Sequence, residues 1–223
     1  MMSGFGAFGK IPSLGDFFTY NLDQVMVENW DNWIQKHMIS LKNRLGIRWD
    51  KCFMTAPIWR FSLSAGVVSD SFTYGVMMPS IDRVGRQFPM TIAATRSDVN
   101  SVLYEHNSSY LLFEKLEDLA LLSLEETTSK DLFLQSLEAI DKEKNRPTQK
   151  LVNFEKTFFN CDGDINSFNE ELASMYVCSK MKLPCIWSSV TTDGVKFFFS
   201  DGLPNSDDME ALYDLESSKW TRS

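Results

Sequence analysis

The chain has 223 residues, of which 43% are hydrophobic, 23% charged and 13% aromatic. That excludes a disordered chain, a collagen and a coiled coil, and with 17 Phe and 6 Trp it predicts a core of large rings. A formal net charge of −8 argues against a general nucleic-acid binder, because phosphate contacts need clustered Lys and Arg.

The N-terminus, MMSGFGAFGKIPSLGDFF, has no basic stretch followed by an apolar run, so it does not read as a secretory signal. Residues 4–9 start a short strand, and Lys10 to Asp16 form a turn-rich link with Pro12, Ser13 and Gly15. Leu22, Met26, Trp30, Trp33, Ile34, His37, Met38, Leu41 and Leu45 fall at helical spacing. They predict a helix over 22–45, capped by Asn21 or Asp23 and ended by Gly46. Three strands are expected next: 58–63, the alternating Phe72, Tyr74, Val76 and Met78, and the almost wholly apolar 88–94. Between the last two lies PSIDRVGRQ, a charged loop between buried strands, where sites tend to sit. Leucine spacing predicts a helix over 108–125. Ser129 or Asp131 opens another, with Leu132, Phe133, Leu137 and Ile140 inward. The charged run 141–150 is the linker candidate, and 165–181 holds a short helix. Strands at 185–190 and 195–200 are joined by the turn Thr192-Asp193-Gly194, a short helix covers 209–215, and the tail SSKWTRS is expected to fray.

This order predicts an α/β fold: a single-domain three-layer sandwich over 1–223, with a mixed sheet between helical layers. Residues 1–100 carry most strands, and 101–223 form a mainly helical, acidic half. The first part holds ten Lys/Arg against eight Asp/Glu, the second twelve against twenty-two. The acidic excess reads as a solvated helical face. No run of about 18 apolar residues occurs, so no transmembrane helix is expected.

Gly4, Gly6 and Gly9 spell GxGxxG, but no strand precedes them and Pro12 and Gly15 break the helix that should follow. They read as close-approach glycines, not a cofactor loop. Cys52, Cys161, Cys178 and Cys185 are scattered without a CxxC or a histidine cluster, which predicts reduced thiols in a cytosol and no metal. His37 and His106 lack sequence-local partners and read as ordinary helix-face or loop histidines. The notable charges are Asp16, Asp82, Arg83 and Arg86, in short loops bounded by Gly or Pro and bulky apolar residues. One reading is an Asp–Arg network that locks the loop around Gly85. The other makes Asp16 or Asp82 a general base and an arginine an anion clamp. Trp30 and Trp33 read as core, while Trp59 beside Arg60 is the better candidate for an exposed contact anchor.

FGAFGKIPSLGDFF (5–18), ENWDNWIQ (28–35), TAPIWRFSLS (55–64) and GVMMPSIDRVGRQFPMTIAA (75–94) together resemble the TagF family, also called ImpM, which accompanies bacterial type VI secretion systems. The resemblance covers about the first hundred residues. Leu14 departs from it, standing where the family tends to have a more polar, often basic residue. The resemblance implies an α/β sandwich and a cytoplasmic accessory protein that restrains assembly or firing of the apparatus after translation. It links that restraint to the forkhead-associated scaffold protein of the same system. The expected mode is occupancy of that partner, with no cofactor, small-molecule ligand, nucleic acid or membrane insertion. Candidates for partner binding or loop structuring are Lys10, Ser13, Asp16, Trp59, Arg60, Ser80, Asp82, Arg83 and Arg86. The alternatives are a small hydrolase using Asp16, Asp82 and an arginine, or a structural subunit of the apparatus.

Overall fold

The computed structural model describes residues 4–13, 17–97, 99, 101–125, 128–140, 173, 176, 177 and 179–220. Its strands are β1 (Gly6–Gly9), β2 (Phe18–Tyr20), β3 (Trp59–Leu63), β4 (Phe72–Met78), β5 (Met90–Arg96), β6 (Pro184–Thr191) and β7 (Gly194–Asp201). Its helices are α1 (Gln24–Leu45), α2 (Trp49–Thr55), α3 (Val102–Ser108), α4 (Tyr110–Leu122), α5 (Lys130–Ala139) and α6 (Ser206–Tyr213). Asp16, Cys161, Cys178, the linker at 141–150 and most of the helix expected over 165–181 lie outside the described residues.

The strands form one sheet in the order β2-β1-β5-β4-β3-β6-β7. Helices cover both of its faces, which gives the three-layer α/β sandwich. The sheet is antiparallel in every ladder where a mixed one was expected. The connections explain four of the six ladders: parallel neighbours need a crossover, usually a helix, between consecutive strands. Here β1–β2, β3–β4, β4–β5 and β6–β7 follow one another through loops, and the helices join strands that are not neighbours. Strand parity then sorts the side chains. In β3, Trp59, Phe61 and Leu63 face the layer of α1, α2 and α6, while Arg60 and Ser62 face α3 and α4.

The first helix is well specified locally. Asp23 Oδ1 accepts from the backbone N–H groups of Val25 (3.0 Å) and Met26 (3.2 Å), and Gly46 ends the helix at φ +53°. The helix expected over 108–125 is α4, and a further helix, α3, precedes it across Ser109. Ser101 caps α3 by accepting from Tyr104 N–H, and the buried side of α3 is half polar (Glu105, His106), so apolar spacing does not reveal it. In α5, Leu132 faces solvent and Phe133 and Leu137 face inward. The glycines of the GxGxxG pattern allow close strand contact. A Cβ on Gly6 would lie 2.4 Å from Asn21 O, and one on Gly9, at φ +133°, 2.1 Å from Pro89 O.

The tail is not frayed through Trp220. Its ring stacks on Trp59 (centroids 5.8 Å apart) and its Nε1 donates to Ala211 O at 3.0 Å. One indole buries enough apolar area to order a short segment. Among the described residues no helix is long and apolar enough to cross a membrane.

Candidate functional site

The loop between β4 and β5 carries the most specific geometry. Phe88 N–H donates to Ser80 O (3.0 Å), Asp82 N–H to Arg86 O (3.1 Å) and Gly85 N–H to Asp82 O (2.9 Å), with a bridge between Ile81 and Gln87. This is a tight hairpin that requires the left-handed conformation of Gly85, φ +82°. Asp82 organises it. Oδ1 accepts from the backbone N–H groups of Val84 (3.1 Å) and Arg86 (2.8 Å), and Oδ2 from Lys10 Nζ (2.9 Å) and Arg86 Nε (2.6 Å). Lys10, in the loop after β1, is itself buried and lies over the Phe17 ring, which packs on Phe8 and Phe88. Two loops from the same end of the sheet are thereby joined by one buried ion pair.

Burial alone would raise the Asp82 carboxyl. The bonds from Lys10, from the Arg86 backbone and guanidinium and from Val84 outweigh it and hold the group well below the usual carboxylate range. Asp82 is therefore a fixed anion with four donors around it and no exposed surface. A general base must reach a substrate proton, and this carboxylate is enclosed.

What the hairpin presents outward is its tip. Arg83, Val84 and Arg86 are exposed, although Arg86 Nε stays on Asp82. The other flank is tied to α2: Trp49 Nε1 donates to Gln87 Oε1 (2.6 Å), and Gln87 Nε2 to Asp50 Oδ1 (3.0 Å). Between hairpin and helices runs an open groove of about 450 Å³, with Met38, Ile39 and Lys42 on its α1 side.

The remaining sequence candidates lie elsewhere. Ser13 is half-buried in the turn after β1. Ser80 is buried at the hairpin base, and among the described residues its Oγ has no hydrogen-bond partner. Trp59 and Arg60 are both buried and point to opposite faces of the sheet, so they share no site. Trp59 Nε1 donates to Leu212 O (2.8 Å) beneath α6. Arg60 makes a two-pronged pair with Glu117 of α4, Nε to Oε1 and Nη2 to Oε2 both at 2.7 Å, with the Tyr110 ring stacked 4.8 Å from its guanidinium carbon. Burial would lower the Arg60 pKa, but Glu117 more than compensates and raises it.

Sequence reasoning missed the polar cluster around that pair. His106 sits between Ser62 Oγ (Nδ1, 3.0 Å) and Ser188 Oγ (Nε2, 2.7 Å), and Arg96 is paired twice with Glu105 at 2.9 Å. Burial, and after it the Arg60 charge, pushes the His106 pKa down to about 3, so the ring is neutral. One signal was available: Glu117 stands four residues after Phe113, on the same helix face.

The sheet order and the two helical layers place the chain among three-layer α/β sandwich domains. A family model for the TagF N-terminal domain, type VI secretion system-associated, matches residues 6–140. The chain belongs to the TagF family. In fold it is similar to PA0076 from Pseudomonas aeruginosa PAO1, known from a crystal structure. The two share 24% identity over 96% of each chain, with a TM-score of 0.80. No curated protein matches the chain in sequence.

Proposed function

We propose that this protein is a cytoplasmic accessory factor that restrains assembly or firing of a type VI secretion apparatus by occupying the forkhead-associated scaffold protein of the same system. It acts by binding, without turnover. The observation that carries this is the hairpin. Its base is locked by the enclosed Lys10–Asp82 pair, and its tip offers Arg83, Val84 and Arg86 to a partner. A rigid loop pays little ordering entropy on binding, and arginine beside an apolar residue suits a contact anchor. The family supplies the secretion system. The enclosure of Asp82 argues against the hydrolase alternative, because the carboxylate is fully committed to four donors.

The experiment is a calorimetric titration of the full chain against the purified forkhead-associated scaffold. Saturable heat and co-elution at micromolar concentrations are expected. No heat and no co-elution would remove the proposal.

A further inference from the structure

At the far end of the sheet, β7 is an edge of an unusual kind. The opposite edge, β2, is three residues long and β7 is eight. The β6–β7 turn has two residues, Thr192 and Asp193, so the closing pair Thr191–Gly194 is hydrogen-bonded and the inward bonds fall on Gly194, Lys196, Phe198 and Ser200. The backbone groups of Val195, Phe197, Phe199 and Asp201 therefore point away from β6. Among the described residues no strand pairs with that row. Sheet edges are ordinarily blunted by short strands, prolines, bulges or charges. Here the single cation, Lys196, is folded over the Trp220 ring at 4.8 Å. On the other face Val195 is 66% exposed and Phe197 and Phe199, in ring contact, 37% each.

We propose that β7 pairs antiparallel with β7 of a second copy of this chain, about a two-fold axis at Phe198. In that register Phe197 faces Phe199 of the partner subunit, twice over. Val195 faces Asp201 of the partner subunit, Lys196 faces Ser200 of the partner subunit, and Phe198 meets its own counterpart. Every outward backbone group of one strand then meets an outward group of the other. The neighbouring registers are worse. An axis at Phe197 sets Asp193 against Asp201 of the partner subunit, and one at Lys196 sets two lysines opposite each other. An axis at Phe199 keeps one aromatic pair, Phe199 with its counterpart, but sets Phe197 against Asp201 of the partner subunit twice. Like charges directly opposite are destabilising and aromatic cross-strand pairs stabilising, so the strand's own sequence selects Phe198. A strand edge is a small interface, so the dimer is reversible, in the micromolar range.

Sedimentation velocity of the full chain across the micromolar range tests this, with two opposite substitutions at one exposed position. Val195→Glu places an anion against Asp201 of the partner subunit at two symmetric points and should weaken dimerisation about fivefold. Val195→Lys removes the same apolar surface but adds a cation there, and should tighten it about fivefold. Ile47→Glu and Ile47→Lys, at a fully exposed site far from β7 in the chain, control for net charge and should change nothing. Thermal melts verify that each variant is folded. A chain that stays monomeric throughout overturns the inference. So does a dimer that responds alike to both Val195 changes, or equally to the Ile47 pair.

Discussion

The two faces of the sheet are built on different physics, although the same strands supply both. Under α1 and α6, Trp30 lies against Trp33, Phe61 and Trp187 with ring centroids 4.8–6.1 Å apart. The indole N–H groups of Trp30, Trp33 and Trp59 are each satisfied, by Thr91 Oγ1, Pro204 O and Leu212 O. Under α3 and α4 the same stretch of sheet carries Arg60–Glu117, Arg96–Glu105 and the Ser62–His106–Ser188 bridge. The first face holds by volume filled, and a missing ring leaves a void. The second holds by completeness of pairing, and a missing partner leaves a desolvated charge.

The sharpest way to break this comparison starts with the ring face. Trp30→Ala should cost about 3–5 kcal/mol in denaturant unfolding, the largest single effect expected here. On the charged face Glu117→Ala should cost about 3 kcal/mol, because Arg60 is left buried without its partner. Replacing both, Arg60→Met with Glu117→Leu, should recover most of that loss. If the double variant is no better than the single one, the pair is not the source of the cost. No such rescue exists for Trp30, whose role is to fill space.

The faces should also separate by pH. His106 has a folded pKa of about 3, against about 6.5 in an unfolded chain. The unfolded state therefore binds more protons between those values, and stability falls as pH drops from about 6.5 toward 3. Its slope reaches up to about 1.4 kcal/mol per pH unit. His106→Gln keeps a polar side chain between the serines and should flatten that window. An unchanged slope in urea titrations would show that His106 is not the group responsible. Asp82 acts in a lower window. Its depressed folded pKa stabilises the protein above the unfolded value of about 3.9 and is lost as pH falls below it. Asp82→Asn should lower Tm by several degrees at neutral pH and narrow the gap to wild type in strong acid. A constant gap across that range would mean the ionised form is not what matters.

The ring face was the more legible in sequence. The spacing of Trp30, Ile34, His37, Leu41 and Leu45 describes a helix over 22–45 whose buried side is nearly the one observed. The hairpin strands β6 and β7 follow from two strand-like runs on either side of the Thr192-Asp193-Gly194 turn. The charged face was harder because its inward groups are polar. Glu105 and His106 break the apolar period that would have announced α3, and Glu117 is indistinguishable by type from a solvated helix residue. Trp59 and Arg60 are adjacent in sequence, yet strand parity sends one to each face. The antiparallel sheet was not legible either, since strand order depends on contacts between distant segments such as β3 and β6. In the β4–β5 hairpin, an Asp–Arg network locking the loop around Gly85 was readable, but the partner from another loop, Lys10, becomes apparent only in three dimensions.

The smallest expected effect is the one that separates locking from binding at that hairpin. Asp82 and Arg83 are neighbours with opposite placements: one enclosed by four donors, the other outside the network and exposed. Among the described residues the exposed Arg83 side chain makes no ion pair, so the unfolding free energy of Arg83→Ala should stay within about 0.5 kcal/mol of wild type. Its heat of binding to the forkhead-associated scaffold should fall, because truncating an exposed arginine anchor affects the complex alone. Asp82→Asn should do the reverse to stability first, and weaken binding only as far as the tip loses its shape. The ratio of the two effects, binding loss over stability loss, is therefore predicted to be large for Arg83 and small for Asp82. Equal ratios would mean that the tip has no role of its own and that both residues matter only through folding.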